Sequence, residues 1–199
     1  VTVMVDSGLS RSGISPDQWD DALKELSAAS SDSIIDVTGA FTHLASADAT
    51  DNPSNNRQKA QFDAAIEELQ AAGIPVRINH MCNSPASVTR SDMFYQMVRP
   101  GVALYGMDPL EEPVDRTSST GSSLVSQLKP AMTLSAPIVA KRLVKAGESV
   151  SYGGTWTADV DTVTGVVPAG YADGIPRALS GRMEVAINGR RYPQIGRVC

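Results

Sequence analysis

Cysteine is scarce in this sequence. Its two copies, Cys82 and Cys199, are too few and too far apart for a disulfide framework, and their spacing matches no zinc motif. Such usage fits a reducing, cytoplasmic location. Histidine is equally scarce. Only His43 and His80 occur, with no acids at ligand spacing, so a metal centre is disfavoured. No apolar run approaches the ~18 residues of a membrane span, and no signal peptide is visible. Positive charge is in deficit: 17 Lys and Arg against 22 Asp and Glu leave a formal net charge of −5, which argues against nucleic acid as a partner. What remains is ordinary globular material, 42% hydrophobic and 20% charged, long enough at 199 residues for one large or two smaller domains. The chain opens on Val1 without Met and stops at Cys199 within a strand-like run, so it reads as a piece of a longer protein.

The first half alternates strand and helix patterns. Residues 1–5 form an apolar run that ends in Asp6-Ser7-Gly8. Ser15-Pro16 reads as an N-cap with proline at the first helical position, followed by Trp19, Ala22, Leu23 and Leu26 at helical spacing. Residues 34–44 read as a second strand. Phe62, Ala65, Ile66 and Leu69 mark a second amphipathic helix, closed by Gly73. Residues 74–81 and 98–105 read as further strands, with a candidate helix over 86–97 between them. Repeated strand–helix units favour a parallel sheet, doubly wound or a (β/α)8 barrel, and four strands make half a barrel. Residues 107–127, rich in Pro, Ser, Asp and Glu, read as a linker. From residue 128 short β runs take over, at 132–144, 162–167 and 183–187, and Asn188-Gly189 signals a type I′ hairpin. The expected architecture is α/β over residues 1–127, the second half of a barrel, and a mainly β domain, incomplete, over 128–199.

Polar, reactive residues gather at the ends of the expected strands: Asp6-Ser7-Gly8 with Arg11, Thr42-His43, and Asn79-His80 with Asn83-Ser84, while Arg99-Pro100-Gly101 opens the fourth. In parallel α/β folds the strand C-termini form the active face. Each residue alone has a plainer explanation. A histidine can satisfy a core hydrogen bond. Asn83-Ser84 can be an ordinary N-cap instead of an anion site at a helix start. Arg99 can be one half of a structural salt bridge. Cys82, two residues from His80, reads better as a small packing residue than as a nucleophile. In residues 167–177, VPAGYADGIPR, Tyr171 is either a surface tyrosine in a glycine-rich turn or a hydroxyl exposed for acid–base work.

Taken together, these segments resemble the pyridoxal-phosphate-dependent alanine racemase family. VDSGLSRSG at 5–13 resembles VDTGxxRxG, and THLASAD at 42–48 resembles T/SHxxxAD. HMCNSPA at 80–86 matches HxxNSxA, and VRPGVALYG at 98–106 matches VRPGIALYG. LKP at 128–130, VSYGGTW at 150–156, GYADG at 170–174 and GRVC at 196–199 continue in the family's order. The resemblance implies an N-terminal (β/α)8 barrel and a C-terminal β domain, assembled head-to-tail as a homodimer with shared sites. It implies pyridoxal 5′-phosphate as cofactor and a small amino acid as substrate, racemised between L- and D-alanine to supply peptidoglycan.

The resemblance also implies roles. Two bases act on opposite faces of the substrate: a Schiff-base lysine, which no lysine of this sequence matches, and a tyrosine, which maps to Tyr171. A relay from Tyr171 through His43 and Arg99 to His80 would ease ionisation of the phenol, whose free pKa is about 10. Arg99 would face the pyridine nitrogen as a donor that does not protonate it. Ser84, with backbone groups at Gly101 and Val102 and with Asn83 beside them, would hold the phosphate. Arg11 would bond the phenolic oxygen or the substrate carboxylate. Many relatives carry a lysine, often carbamylated, where this sequence has Met4, so an anion or another side chain is expected to partner a buried Arg11. A serine or broad-specificity racemase is the nearest alternative, and a non-catalytic fragment the second, if the native chain begins at Val1.

Overall fold

The structure is a computed structural model that describes residues 1–111 and 122–199. The stretch expected to act as a linker lies in part outside them. The chain forms two compact units, Val1–Met132 and Thr133–Cys199.

In the first unit, strand β1 (Thr2–Met4) pairs in parallel with β2 (Gly39–Phe41), Val3 opposite Ala40. Helix α1 (Trp19–Ser31) lies between them in sequence, the crossover that a parallel pair requires. A third segment runs beside β2 without becoming a full strand. Ile78 N–H donates to the Thr38 carbonyl at 3.0 Å, His80 N–H to Ala40 at 3.1 Å, and Thr42 N–H to His80 at 3.2 Å. The expected strand over 74–81 is thus only a bridge at His80. Gly39 explains the close approach: a Cβ there would stand 1.7 Å from the Ile78 carbonyl oxygen.

Helix α2 (Ser54–Ala71) starts well ahead of the expected stripe and buries Phe62, Ala65, Ile66 and Leu69. These pack with Val3, Val37, Ala40, Ile74 and Met81 into one core. At its end Gly73 adopts φ +79° and donates to Gln70, while Ile74 donates to Leu69, a left-handed stop that glycine adopts without a Cβ penalty. Helix α1 begins at Trp19, not at Pro16. The Ser15 hydroxyl donates to the Gln18 side chain at 2.9 Å instead of capping the helix.

The segments after α2 differ most from expectation. Helix α3 (Ser84–Thr89) is six residues long, followed by a 3₁₀ turn at Ser91–Met93. The expected strand over 98–105 is absent. A 3₁₀ turn, Val102–Tyr105, takes its place, and Gly106 closes it at φ +73°. Pro100 lacks the N–H that a ladder needs.

The second unit is built of antiparallel pairs: β3 (Ala140–Val144) with β6 (Thr162–Val166), β4 (Ser149–Val150) with β5 (Trp156–Thr157), and β7 (Glu184–Ile187) with β8 (Arg190–Pro193). Asn188 and Gly189 join the last pair at φ +51° and +78°, the two left-handed residues of the expected type I′ turn.

Candidate active site

The ends of β1, β2 and the neighbouring segment, with the Arg99 loop, hold the predicted polar residues of the first unit. Arg99 is their hub. Its Nη1 donates to His80 Nδ1 at 2.5 Å, and its Nη2 donates to the Thr42 carbonyl at 2.8 Å and to His43 Nδ1 at 3.4 Å. The Arg99 backbone is fixed from its own side, N–H to the Cys82 carbonyl at 3.0 Å. Phe41 lies under both groups: its ring stacks on His80 at 5.1 Å, and the Arg99 guanidinium sits 5.5 Å from its centroid. The stacked ring adds a cation–π contact to the guanidinium.

This geometry sets the tautomers. Both imidazoles accept at Nδ1 from a group that only donates, so each carries its proton on Nε2. It also sets their charge. Burial, then the Arg99 cation, pushes His80 down to about 4. His43 is lowered by burial, by Arg99 and by Arg11. Both rings are therefore neutral near pH 7. Burial lowers Arg99 as well, but a guanidinium starts so high that it stays charged.

Ser84 supplies a second fixed feature. Its hydroxyl accepts from the Gly101 N–H at 2.6 Å and the Ala103 N–H at 3.3 Å. A hydroxyl has two acceptor lone pairs and one donor. Both acceptor positions are taken, so the O–H itself is left to donate. Ser84 and Asn83 line an open cleft of about 340 Å³ together with Arg11, His43 and Val102. Asn83 caps α3, its side chain accepting from Ala86 N–H at 3.3 Å. The plain N-cap reading of Asn83 therefore holds locally. With α3 only six residues long, the Ser84 hydroxyl is a more specific donor than the helix dipole. Cys82 is buried, donates to the Met93 carbonyl at 3.1 Å, and has its thiol pushed up to about 11, chiefly by burial. It is a packing residue.

Arg11 borders the cleft and is exposed in this chain. The loop that carries it is ordered by Asp6, whose Oδ1 accepts from Gly8, Leu9 and Ser10 N–H at 3.0 Å each. Those bonds, Ser10's first, hold the Asp6 carboxyl below its usual range.

The second unit carries Tyr171. Gly170 lies so close to Cys199 that a Cβ would stand 1.7 Å from its carbonyl oxygen, and Tyr171 N–H donates to that oxygen at 3.1 Å. Asp173 accepts from Gly170 N–H at 2.9 Å and tightens the turn. The Tyr171 side chain is left exposed and borders an open pocket with Tyr152 and Arg177.

Sequence reasoning missed Gln58. It is buried on the same face of α2 as Phe62 and makes hydrogen bonds to both strand-end loops. The available signal was a polar residue inside the apolar stripe 58, 62, 65, 66, 69. Phe41 and the Thr42 carbonyl were also missed, since neither is a reactive side chain.

The sequence profile described as alanine racemase, N-terminal domain, matches residues 1–109, and that described as alanine racemase, C-terminal domain, matches 131–199. Among curated relatives, alanine racemase of Corynebacterium glutamicum is 44% identical over the whole chain, which covers 51% of that protein. Alanine racemase of Mycolicibacterium vanbaalenii is 44% identical with 48% covered. The chain thus spans about half the length of the curated relatives it matches. Among solved structures, alanine racemase from Streptomyces coelicolor superposes with a TM-score of 0.89 at 34% identity, covering all of this chain and 50% of that one. The enzyme from Bartonella henselae, solved with covalently bound pyridoxal phosphate, superposes at 0.80 and 27% identity, again covering all of this chain and 50% of that one. The architecture is accordingly the second half of a (β/α)8 barrel followed by a mainly β domain, and the chain belongs to the alanine racemase family.

Proposed function

We propose that this chain is the part of a pyridoxal-phosphate-dependent alanine racemase that carries the cofactor's phosphate and ring contacts and one of two bases. The carrying observation is the Arg99 hub, a charged donor shared by two neutral imidazoles, next to a serine hydroxyl with only its proton left to give. The residues present fit the non-covalent part of the cofactor. The cleft offers the Ser84 hydroxyl and the Arg11 cation, and its one acid, Asp48, is exposed. No lysine lines it among the described residues, so these residues account for binding and not for covalent attachment.

Bound there, the cofactor would supply an electron sink that acidifies the substrate's α-hydrogen. The chain's own residues would do the rest. Ser84, with Asn83, Gly101 and Val102 around it, would hold the phosphate. Arg99 would donate toward the ring nitrogen without protonating it, which keeps the sink weak and disfavours transamination. Arg11 would bond the phenolic oxygen or the substrate carboxylate. Tyr171, contributed by the partner copy of a homodimer, would take or return a proton on one face. His43, passing the influence of Arg99 and His80, would stabilise its ionised form. D-alanine for cell-wall peptidoglycan would be the product that matters, made in the cytoplasm. The two cysteines support that location, neither being paired.

The test is racemisation by the full-length protein with added pyridoxal phosphate, offered alanine, serine and lysine separately. Alanine is expected to be turned over fastest. Faster turnover of serine would replace the substrate assignment, and no turnover of any would remove the reading.

A further inference from the structure

Helix α2 sends Gln58 to the active face from behind. Gln58 is 3% exposed and has every polar atom engaged. Its Nε2 donates to the His43 carbonyl at 3.0 Å and to the Ser7 hydroxyl at 3.2 Å, and its Oε1 accepts from Ala45 N–H at 2.9 Å. The His43–Ala45 backbone is therefore gripped on both sides of Leu44. Ser7 extends the grip: its hydroxyl lies 2.7 Å from that of Thr42, whose carbonyl receives Arg99 Nη2. Strand β2 has already ended at Phe41, so the ladder that would otherwise fix these residues is missing. An amide is the only neutral side chain that offers both N–H donors and a carbonyl acceptor at once.

We infer that Gln58 is a positioning residue for proton transfer, holding His43 at the distance from Arg99 at which its Nδ1 accepts and its Nε2–H faces outward. This rests on the racemase reading above. Gln58 touches no reacting group. It acts through the His43 carbonyl and the Ala45 amide, and the 3.4 Å contact of His43 with Arg99 is the longest bond of the hub. A small backbone shift would break that bond first, while the shorter bonds to His80 and Thr42 would survive.

The consequence is asymmetric. His43 serves the tyrosine base and not the opposite face. Gln58→Met keeps length and bulk but removes all three hydrogen bonds. In the full-length holoenzyme it should slow wash-in of solvent deuterium from one alanine enantiomer by about 10-fold, a fraction of the ~10²–10⁴-fold that a positioned proton-transfer group supplies, and leave the other within about 2-fold. A second readout does not need turnover: ¹⁵N imidazole shifts should show the His43 Nδ1, unprotonated and bonded in the parent, losing its hydrogen-bonded signature in Gln58→Met, with His80 unchanged. Phe62→Leu, one turn along the same helix in the core, should lower the melting temperature yet leave both the exchange ratio and the His43 signal as they are. Equal slowing of both faces, or an unaltered His43 signal, would reduce Gln58 to a packing residue and overturn the inference. A parent holoenzyme that exchanges neither enantiomer would instead overturn the racemase reading, and the inference with it.

Discussion

Replacing Ser84 by Ala separates two jobs of one hydroxyl. The Ser84 Oγ accepts from Gly101 and Ala103 N–H, and its removal leaves both donors without that partner. Gly101 is exposed and can turn to water, but Ala103 is buried. An orphaned buried donor costs about 1–3 kcal/mol, so the expected loss of stability is about 2 kcal/mol, nearly all of it from Ala103. The second job is the outward O–H. A hydrogen bond to a charged acceptor contributes about 1.5–3 kcal/mol, and at about 1.4 kcal/mol per factor of ten its loss should weaken phosphate-anchored binding by roughly 10–100-fold.

The assay has two arms on the full-length protein. Urea unfolding of the cofactor-free form gives the first number. Titration with pyridoxal phosphate, with pyridoxal as the phosphate-less control, gives the second. Affinity for the phosphorylated ligand should fall while affinity for pyridoxal changes little. Ser84→Thr, which keeps the hydroxyl, should recover part of both losses. If stability falls by the expected amount while the preference for pyridoxal phosphate over pyridoxal is untouched, the outward-donor argument is wrong and Ser84 is only a loop staple.

Three further outcomes are expected. His80, at about 4, lies below the ~6.5 of an unfolded histidine. The unfolded chain therefore binds more protons between those values, and stability should be full above pH 6.5 and fall as the pH drops toward 4. His80→Asn should flatten that slope in urea midpoints, and identical slopes would contradict it. Gly39→Ala forces a Cβ onto a carbonyl oxygen 1.7 Å away and should cost about 3 kcal/mol or prevent folding, so a loss below about 1 kcal/mol would be inconsistent with the close approach. Tyr171→Phe keeps the ring and should abolish α-proton exchange on one face by ~10²–10⁴-fold while sparing the other; equal loss on both would remove Tyr171 as a dedicated base.

The residues at strand ends were legible because reactive side chains stand out against apolar runs. Asp6 and His43 follow β1 and β2 closely, as the strand–helix alternation has them, whereas His80 lies at an isolated bridge and Arg99 in a loop where a strand was expected. The lengths of the elements were less legible. Residues 34–44 contain one apolar pattern but only three ladder residues, Gly39–Phe41, paired with Thr2–Met4. Residues 98–105 look like a strand by composition. Pro100 removes a donor and Gly106 must turn left-handed where a Cβ would strike Lys129, so the segment closes into a 3₁₀ turn. That turn is what brings Gly101 and Ala103 N–H onto Ser84. Gln58 was invisible because its role is made by tertiary contacts. Its neighbours in sequence only say that a polar side chain faces the core. Exposure of Arg11 was equally out of reach, since a motif fixes order and not burial.

The charge of the site follows from one residue. Arg99 is half-buried, and among the described residues its hydrogen-bond partners are all neutral: two imidazoles and a carbonyl. A guanidinium in that position carries a desolvation cost that no carboxylate offsets. Burial first, and then the same cation, keep His80 and His43 unprotonated, so the neighbourhood cannot shed its positive charge by titrating, nor add to it. Arg11 adds a second positive charge at the cleft rim and Ser84 a fixed donor. A site so arranged stabilises an anion that brings its own hydrogen-bond acceptors, and stabilises it more than a neutral ligand of the same shape. It also couples functions that look separate. Loss of Arg99 would take the hydrogen-bond donor from both histidines, free the Thr42 carbonyl, and remove the cation from the Phe41 ring together. The effect of changing Arg99 on proton transfer and on anion binding should therefore be inseparable, whereas changes at Ser84 should touch stability and binding but not transfer, and changes at Gln58 transfer but not binding.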